Sequence, residues 1–468
     1  MPNDLAHASA VELVALYRSG AASPVEAARA ALERIERYNP ALNCFCLVDE
    51  ATTLAMARAS EARWRQGAPA GPVDGVPTTI KDLAMTRGWP TRRGSRTSDP
   101  DDPGAEDAPS VANLRAAGAV FIGKTTTPEF GWKGVTDSPL TGITRNPWNT
   151  ERTPGGSSGG AGAACAAFIG ALHQGSDGGG SIRIPAAFSG IFGIKPTYGT
   201  VPNYPIPGHI GTLAHYGPMA RSVGDAALML TAMSAMPDRR DFIAAPVQGR
   251  DFTAGLEGGV KGLRIAYSPT LGGIGWADDD VAAAVAKGAK ALADAGAIVE
   301  QVDPPVPDPT ASFEVIWCSA DAFLLSQIPS EKHALLDPGL VAMAERGRAM
   351  SAVDVVAAYA MRYDFGTAMA MFFETYDLLV TPQMPLEAFE AGHTLPPGRR
   401  LKNWMDWSPF TPPFNLTTQP ACSVPVGLGD EGLPVAMQIV GRHFEEPTVL
   451  RAARAVEQRL PFAAPPGY

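Results

Sequence analysis

Positive charge is scarce in this sequence, and so are cysteine, histidine and long apolar runs. Over 468 residues, 38 Lys and Arg face 48 Asp and Glu, a formal net charge of −10. A protein that coats nucleic acid needs a basic surface to neutralise phosphates, so no direct nucleic-acid partner is expected. The longest weakly apolar stretch, AGAACAAFIGAL at 161–172, is diluted with Ala and Gly. It falls well short of the roughly 20 residues of a membrane span. Met1-Pro-Asn-Asp-Leu-Ala-His has neither the basic nor the apolar segment of a secretory leader. The five cysteines (Cys44, Cys46, Cys165, Cys318 and Cys422) are odd in number and mostly dispersed, and Cys44-Phe-Cys46 is not a zinc spacing. They read as free thiols of a reducing cytoplasm. No cluster of His, Cys and carboxylates stands at metal-ligand spacing, so neither a metal nor a cofactor is expected.

Glycine and proline, by contrast, are plentiful: 49 and 43 residues, scattered without period. That excludes collagen and solenoid architectures and points to many turns and a site built on glycine. With 45% hydrophobic residues the chain has ample material for a core, which excludes a disordered protein.

Ser9-Ala-Val-Glu12 and Ser23-Pro24-Val-Glu26 are capping boxes that start two helices within about 9–38, and Asn39-Pro40 is expected to end the second. Apolar, strand-like runs then alternate with helical periodicity. Strands are expected at 76–80, 119–122, 263–267, 298–302, 378–380, 421–424 and 435–440. Helices are expected at 110–117, 278–295, 352–373 and 447–458. Such alternation predicts an α/β fold, a sheet covered by helices on both faces. The stretches 236–259 and 387–400 read as surface loops or an insertion, not as domain boundaries.

Three glycine motifs compete for the site. Gly118-Ala-Val-Phe-Ile-Gly123-Lys124-Thr125 spells a phosphate loop, but its four central residues form the expected strand, and amides tied into a sheet cannot cradle phosphate. Gly155-Gly-Ser157-Ser-Gly159 spells the nucleophile elbow of α/β-hydrolases, yet loop residues precede it where the elbow needs a strand. A histidine triad would also need a base, and His173, His209, His215, His333, His393 and His443 stand in no catalytic context. The third motif, Ser176-Asp-Gly-Gly-Gly-Ser181-Ile-Arg183, places three glycines before a serine. Such a run can aim consecutive N–H groups at one oxygen, as an oxyanion hole requires.

Taken jointly, these stretches closely resemble the amidase signature family of serine hydrolases. Pro154-Gly-Gly-Ser157-Ser158-Gly-Gly160 matches its Gly/Ser-rich core, Asp177-Gly-Gly-Gly-Ser181-Ile-Arg183 its nucleophile segment, and Asp74-Gly-Val-Pro-Thr-Thr-Ile-Lys81-Asp82 its lysine segment. Asn146-Pro-Trp, Phe192-Gly-Ile-Lys-Pro196, Gly217-Pro-Met-Ala-Arg221 and Leu433-Pro-Val-Ala-Met-Gln438 match as well. The resemblance implies one large domain over 1–468, a central mixed β-sheet flanked by helices on both faces, with the catalytic core at about 74–200. It implies Ser181 as nucleophile, Ser157 as proton relay after a cis peptide, and Lys81 as base. It also implies the backbone N–H groups of Gly178, Gly179, Gly180 and Ser181 as the oxyanion hole. Asp177 and Arg183 would support the loop. Asp82 is ambiguous, because a carboxylate against Lys81 would hold it charged and oppose base function.

A lysine base has to be uncharged near neutrality, which requires that it be desolvated. Three functions remain open: a free-standing amidase, the glutaminase subunit of a tRNA-dependent amidotransferase, and an inactive binding protein. The presence of Lys81, Ser157 and Ser181 together argues against the last. Against the second, Ser408 stands where transamidating relatives place an Asp for the glutamine amino group, with Asp406 near enough to substitute, and apolar residues near Val341 stand for their Arg. Phe130, Gly131, Trp132, Trp317 and Phe410 are expected to line a pocket for a small hydrophobic or aryl amide. A small-molecule substrate is the partner expected, and a homodimer is compatible with the sequence.

Overall fold

Both N-terminal capping boxes form: Ser9 and Ser23 each accept an N–H from inside their helix, and Glu12 and Glu26 reach back to the serine backbone. The second helix, Pro24–Leu42, runs past the expected stop at Pro40. Proline in the final turn forfeits only one hydrogen bond, and the helix closes just beyond it. Asn43 takes the left-handed conformation there, while Asn39 Oδ1 accepts the N–H groups of Cys44 and Phe45 at 2.8 and 2.9 Å.

The computed structural model describes residues 5–205, 210–245, 247 and 249–468. Among them thirteen strands occur. The first six are β1 (Phe45–Leu47), β2 (Pro77–Lys81), β3 (Val120–Thr125), β4 (Asp137–Ser138), β5 (Gly142–Ile143) and β6 (Leu172–Asp177). Next come β7 (Phe192–Lys195), β8 (His215–Ala220), β9 (Arg264–Tyr267) and β10 (Ile298–Gln301). The last are β11 (Leu378–Pro382), β12 (Ala421–Leu428) and β13 (Pro434–Gly441). β4 and β5 pair only with each other, and the other eleven form one sheet in the order β1-β3-β2-β6-β8-β7-β12-β13-β11-β9-β10. β2 runs parallel to β3 and β6, and β9 runs parallel to β10 and β11, whereas the pairs in between are antiparallel. The sheet is mixed and the fold is a single α/β domain.

The helix Gly159–Ala166 is buried on every side although it carries no side chain larger than cysteine. It lies so close to its neighbours that a side chain at Gly160 would collide with Thr126 and with the Cys44 carbonyl. Small residues are thus what lets this helix lie against the strand ends. No helix among the described residues is long and apolar enough to cross a membrane.

Another close approach fixes the wall of the site. The helix Pro338–Arg348 packs on the helix Thr310–Ser326 with Gly347 against the carbonyl of Cys318, leaving no room for a methyl group. Gly347→Ala gains about 1 kcal/mol of helix propensity, but overpacking costs about 1–3 kcal/mol. The variant is expected to unfold at lower urea concentration than the parent; an unchanged or higher midpoint would mean that the two helices part freely.

Candidate active site

β2 and β6 are parallel neighbours, with Thr78 opposite Leu172 and Thr79 opposite His173. Their carboxyl ends therefore emerge side by side, where open α/β sheets collect their functional groups. β2 ends on Lys81, and β6 ends on Ser176 and Asp177. Lys81 Nζ lies 3.0 Å from Ser176 Oγ and 2.7 Å from Ser157 Oγ. The lysine is wholly buried and has no ion pair within reach among the described residues. Burial pushes its ammonium well below the ordinary lysine range, and the charge of Asp177 opposes this only in part.

Ser157 comes from the loop before the helix Gly159–Ala166, and the peptide Gly156–Ser157 is cis. A side chain at Gly156 would strike the Val135 backbone. The N–H of Ser158 donates to the carbonyl of Ser181 at 3.1 Å, which binds this loop to the glycine run after β6.

That run is shaped by one carboxylate. Asp177 accepts the N–H groups of Gly180 at 2.8 Å and Ile182 at 3.2 Å, and two guanidinium N–H groups of Arg183 at 2.9 Å each. Arg183 also donates to Asn415 Oδ1, Gln438 Oε1 and the Thr411 carbonyl, and Asn415 donates back to Asp177. Burial alone would raise the Asp177 carboxyl, but Arg183, Lys195 and Asn415 outweigh it and hold the group well below the usual carboxylate range. Asp177 and Arg183 are thus a bidentate, fully buried pair with their hydrogen bonds met.

One consequence corrects an expectation. The Gly180 N–H is turned toward Asp177, so it is not free for an oxyanion. The N–H groups of Gly178, Gly179 and Ser181 donate to no protein group among the described residues. Thr411 Oγ donates to the Gly179 carbonyl at 2.6 Å and fixes the peptide orientation there.

Ser157, Ser176, Asp177, Gly178 and Ser181 open onto a cavity of about 410 Å³. Phe130, Gly131, Trp132 and Trp317 line it as expected. Phe410 does not: it is buried in a separate cluster with Leu271, Phe365 and Phe414, packed with apolar residues of β9 and β11 to β13. Asp82 faces away from the site and pairs with Lys124 at 3.1 Å, which settles its ambiguity. Lys124 lies within β3 and donates to the Pro90 carbonyl, so the phosphate-loop spelling is strand, as expected. Burial pushes His173 down to about 3 and His215 well below the ordinary histidine range. His215 does reach the cavity, though its Nδ1 is engaged by the Leu213 carbonyl at 2.7 Å. His209 lies outside the described residues.

Ser176, Thr411, Gln438 and the cavity residue Asp321 also belong to the site, and none of them stands out in the sequence as functional. For Ser176 the signal is its position beside Asp177 at a strand end, and Gln438 closes the matched stretch 433–438; Thr411 and Asp321 come from remote segments and carry none.

A buried amine beside two serine-bearing glycine loops, on the parallel half of a mixed sheet, defines a class of serine hydrolases. The family model Amidase matches residues 26–450, and the chain belongs to this amidase signature family of amide C–N hydrolases. The chain is 37% identical over 461 residues to an acylamidase of Rhodococcus erythropolis, covering 97% of this chain and 96% of that one. It is 36% identical over 485 residues to a glutamyl-tRNA(Gln) amidotransferase subunit of Myxococcus xanthus, covering 97% of each. Among solved structures, a bacterial aryl acylamidase of the amidase signature family superposes with a TM-score of 0.90 at 31% identity, covering 97% of this chain and 96% of that one.

Removing Arg183 would leave Asp177 as an unpaired charge in the interior. Arg183→Met is expected to lose about 3–5 kcal/mol of stability in urea unfolding at neutral pH. Asp177 has its folded value depressed, so its contribution is present above the unfolded carboxylate pKa and disappears as pH falls through and below that range. The deficit of Arg183→Met should therefore narrow in acid, and a deficit independent of pH would contradict the pairing.

Proposed function

We propose that the protein hydrolyses a small hydrophobic or aryl carboxylic amide to carboxylate and amine, through an acyl-enzyme on Ser181. The observation that carries this reading is Lys81: a dry, unpaired amine whose Nζ lies 2.7 Å from Ser157 Oγ. A neutral amine at that distance can draw a proton through Ser157 while Ser181 Oγ attacks the carbonyl carbon. The carbonyl oxygen, now an anion, would accept from the N–H groups of Gly178, Gly179 and Ser181. Lys81, protonated and favoured in that state by the Asp177 charge, then returns the proton through Ser157 to the departing nitrogen. Water entering by the same route would release the acid and restore Ser181.

Phe130, Trp132 and Trp317 favour an apolar acyl or aryl group. The acylamidase and aryl acylamidase relatives are in keeping with that choice. The amidotransferase relatives keep a glutaminase reading in view, but two positions weigh against it. Ser408 is buried with its hydroxyl donating to the Trp404 carbonyl, away from the cavity. Asp406 is spent on the N–H groups of Lys402 and Asn403, which cap a turn of helix. Action without partner subunits, in the cytoplasm, belongs to the same proposal.

Purified protein assayed alone against glutamine, aliphatic amides and anilides should release amine or ammonia from anilides most readily, with glutamine inert. Ser181→Ala and Lys81→Ala are each expected to abolish turnover, and Ser157→Ala to lower kcat by about 10²–10⁴. Unimpaired hydrolysis by Ser181→Ala would defeat the assignment.

The pH profile supplies a separate check. Lys81 works deprotonated and its pKa is lowered, so kcat/KM should rise with pH through a single limb lying well below the ordinary lysine range. A limb at that ordinary value would show that the amine is solvated.

A further inference from the structure

The helix Thr310–Ser326 presents Trp317, Asp321 and Leu324 to the cavity, at the i, i+4, i+7 spacing of one helical face. Asp321 is the acid on that face. Its residue is 4% exposed, it has no hydrogen bond or ion pair among the described residues, and its Oδ2 is fully buried without a partner. Other buried acids around the site are accounted for: Asp177 by Arg183, Asp82 by Lys124, and Glu129 by Ser95 and the Asp337 N–H. Arg93, a cation that lines the same cavity, forms no ion pair with Asp321. Leaving a buried carboxyl unsatisfied works against stability, so a cavity that keeps one has a use for it.

Its position fits a substrate contact. Trp317 packs over the glycine run, where a side chain at Gly178 would come within 3.3 Å of its ring. Asp321 lies one turn further on, about 6 Å along the helix axis. A substrate whose carbonyl meets Ser181 would therefore bring the far side of a ring or short chain to Asp321. Burial pushes this carboxyl well above the ordinary carboxylate range. Burial with no cation paired to it among the described residues favours the protonated form, which offers one O–H donor and one carbonyl acceptor.

We propose that Asp321 sets the specificity of this cavity by hydrogen bonding to a neutral polar substituent, a hydroxyl or carboxamide, carried on the apolar body of the substrate. The inference rests on the amide-hydrolase reading of the same cavity, so its test is made on binding rather than turnover. Affinities of benzamide, 3-hydroxybenzamide and 4-hydroxybenzamide would be measured calorimetrically with the Ser181→Ala protein. At least one hydroxyl derivative is expected to bind roughly ten-fold more tightly than benzamide. Adding Asp321→Leu should erase the preference and adding Asp321→Asn, which keeps a donor and an acceptor, should retain it. Asp321→Ala gives the same reading if the leucine variant does not fold. Equal affinities in the Ser181→Ala protein, or a preference that survives loss of the carboxyl, would overturn the proposal. So would a tighter fit for 4-(aminomethyl)benzamide, whose ammonium would show Asp321 acting as a charge. Failure of the intact enzyme to hydrolyse any amide would sink the catalytic reading, while the binding preference would still stand or fall on these affinities.

Discussion

The site depends on keeping one amine dry and unpaired. Taking an ammonium out of water costs several kcal/mol even after the protein relaxes, and the cheaper outcome for an isolated lysine is to lose its proton. Lys81 is placed for that by the sheet. Parallel pairing of β2 with β6 brings the ends of both strands to one point, and the glycine-built helix Gly159–Ala166 seals the space behind them. Only two hydroxyls, those of Ser157 and Ser176, approach the nitrogen among the described residues. Both can serve it as donor or acceptor in either protonation state, so neither pins it as a cation.

Neighbouring buried charges show what the alternative looks like. Asp82 follows Lys81 in sequence, but it sits in the turn after β2, where its N–H donates to the Thr125 carbonyl of β3 at 3.1 Å. The carboxylate therefore meets Lys124 on β3, not Lys81. Asp177, closer to the reacting groups, is matched by Arg183 and surrounded by donors, and stays ionised. Its negative charge favours the lysine ammonium, and burial outweighs it. The same carboxylate bends the glycine run by taking the Gly180 N–H, which leaves the flanking N–H groups turned outward. One residue thus sets both the loop shape and the field at the base.

The reactive segments are legible in the sequence because each is short and locally encoded. The glycine run before Ser181, the strand ending on Lys81 and the two capping boxes depend on neighbours a few positions apart. The phosphate-loop spelling at 118–125 can be rejected for the same reason, since its apolar centre has to be strand. What stays hidden depends on segments far apart in the chain. Arg183 meets Asn415 and Gln438 across more than two hundred residues, and no local pattern announces that contact. The wall is half legible. Phe130, Trp132 and Trp317 line the cavity, yet an aromatic side chain fits a core as readily as a pocket, and Phe410 goes to the core. Asp321 carries no signal in the sequence because one acid in a helix of this length ordinarily faces water.

Chemistry and selection sit on different parts of the architecture. Lys81, Ser157 and Ser181 belong to a strand end and the glycine loops beside it, where positions are fixed by short contacts such as the 2.7 Å between Lys81 Nζ and Ser157 Oγ. The opposite wall is a helix, Thr310–Ser326, held to its neighbour through the contact of Gly347 with Cys318. Its cavity face can change residue by residue without disturbing the sheet. Acylamidases and amidotransferase subunits share more than a third of their residues with this chain while bearing different names. An apolar wall separates substrates only weakly, by size, whereas a buried polar group left unmet by the wrong ligand separates them strongly. A carboxyl without a partner among the described residues, set among Trp317, Leu324 and Ile328, is a feature of the wall able to do the latter.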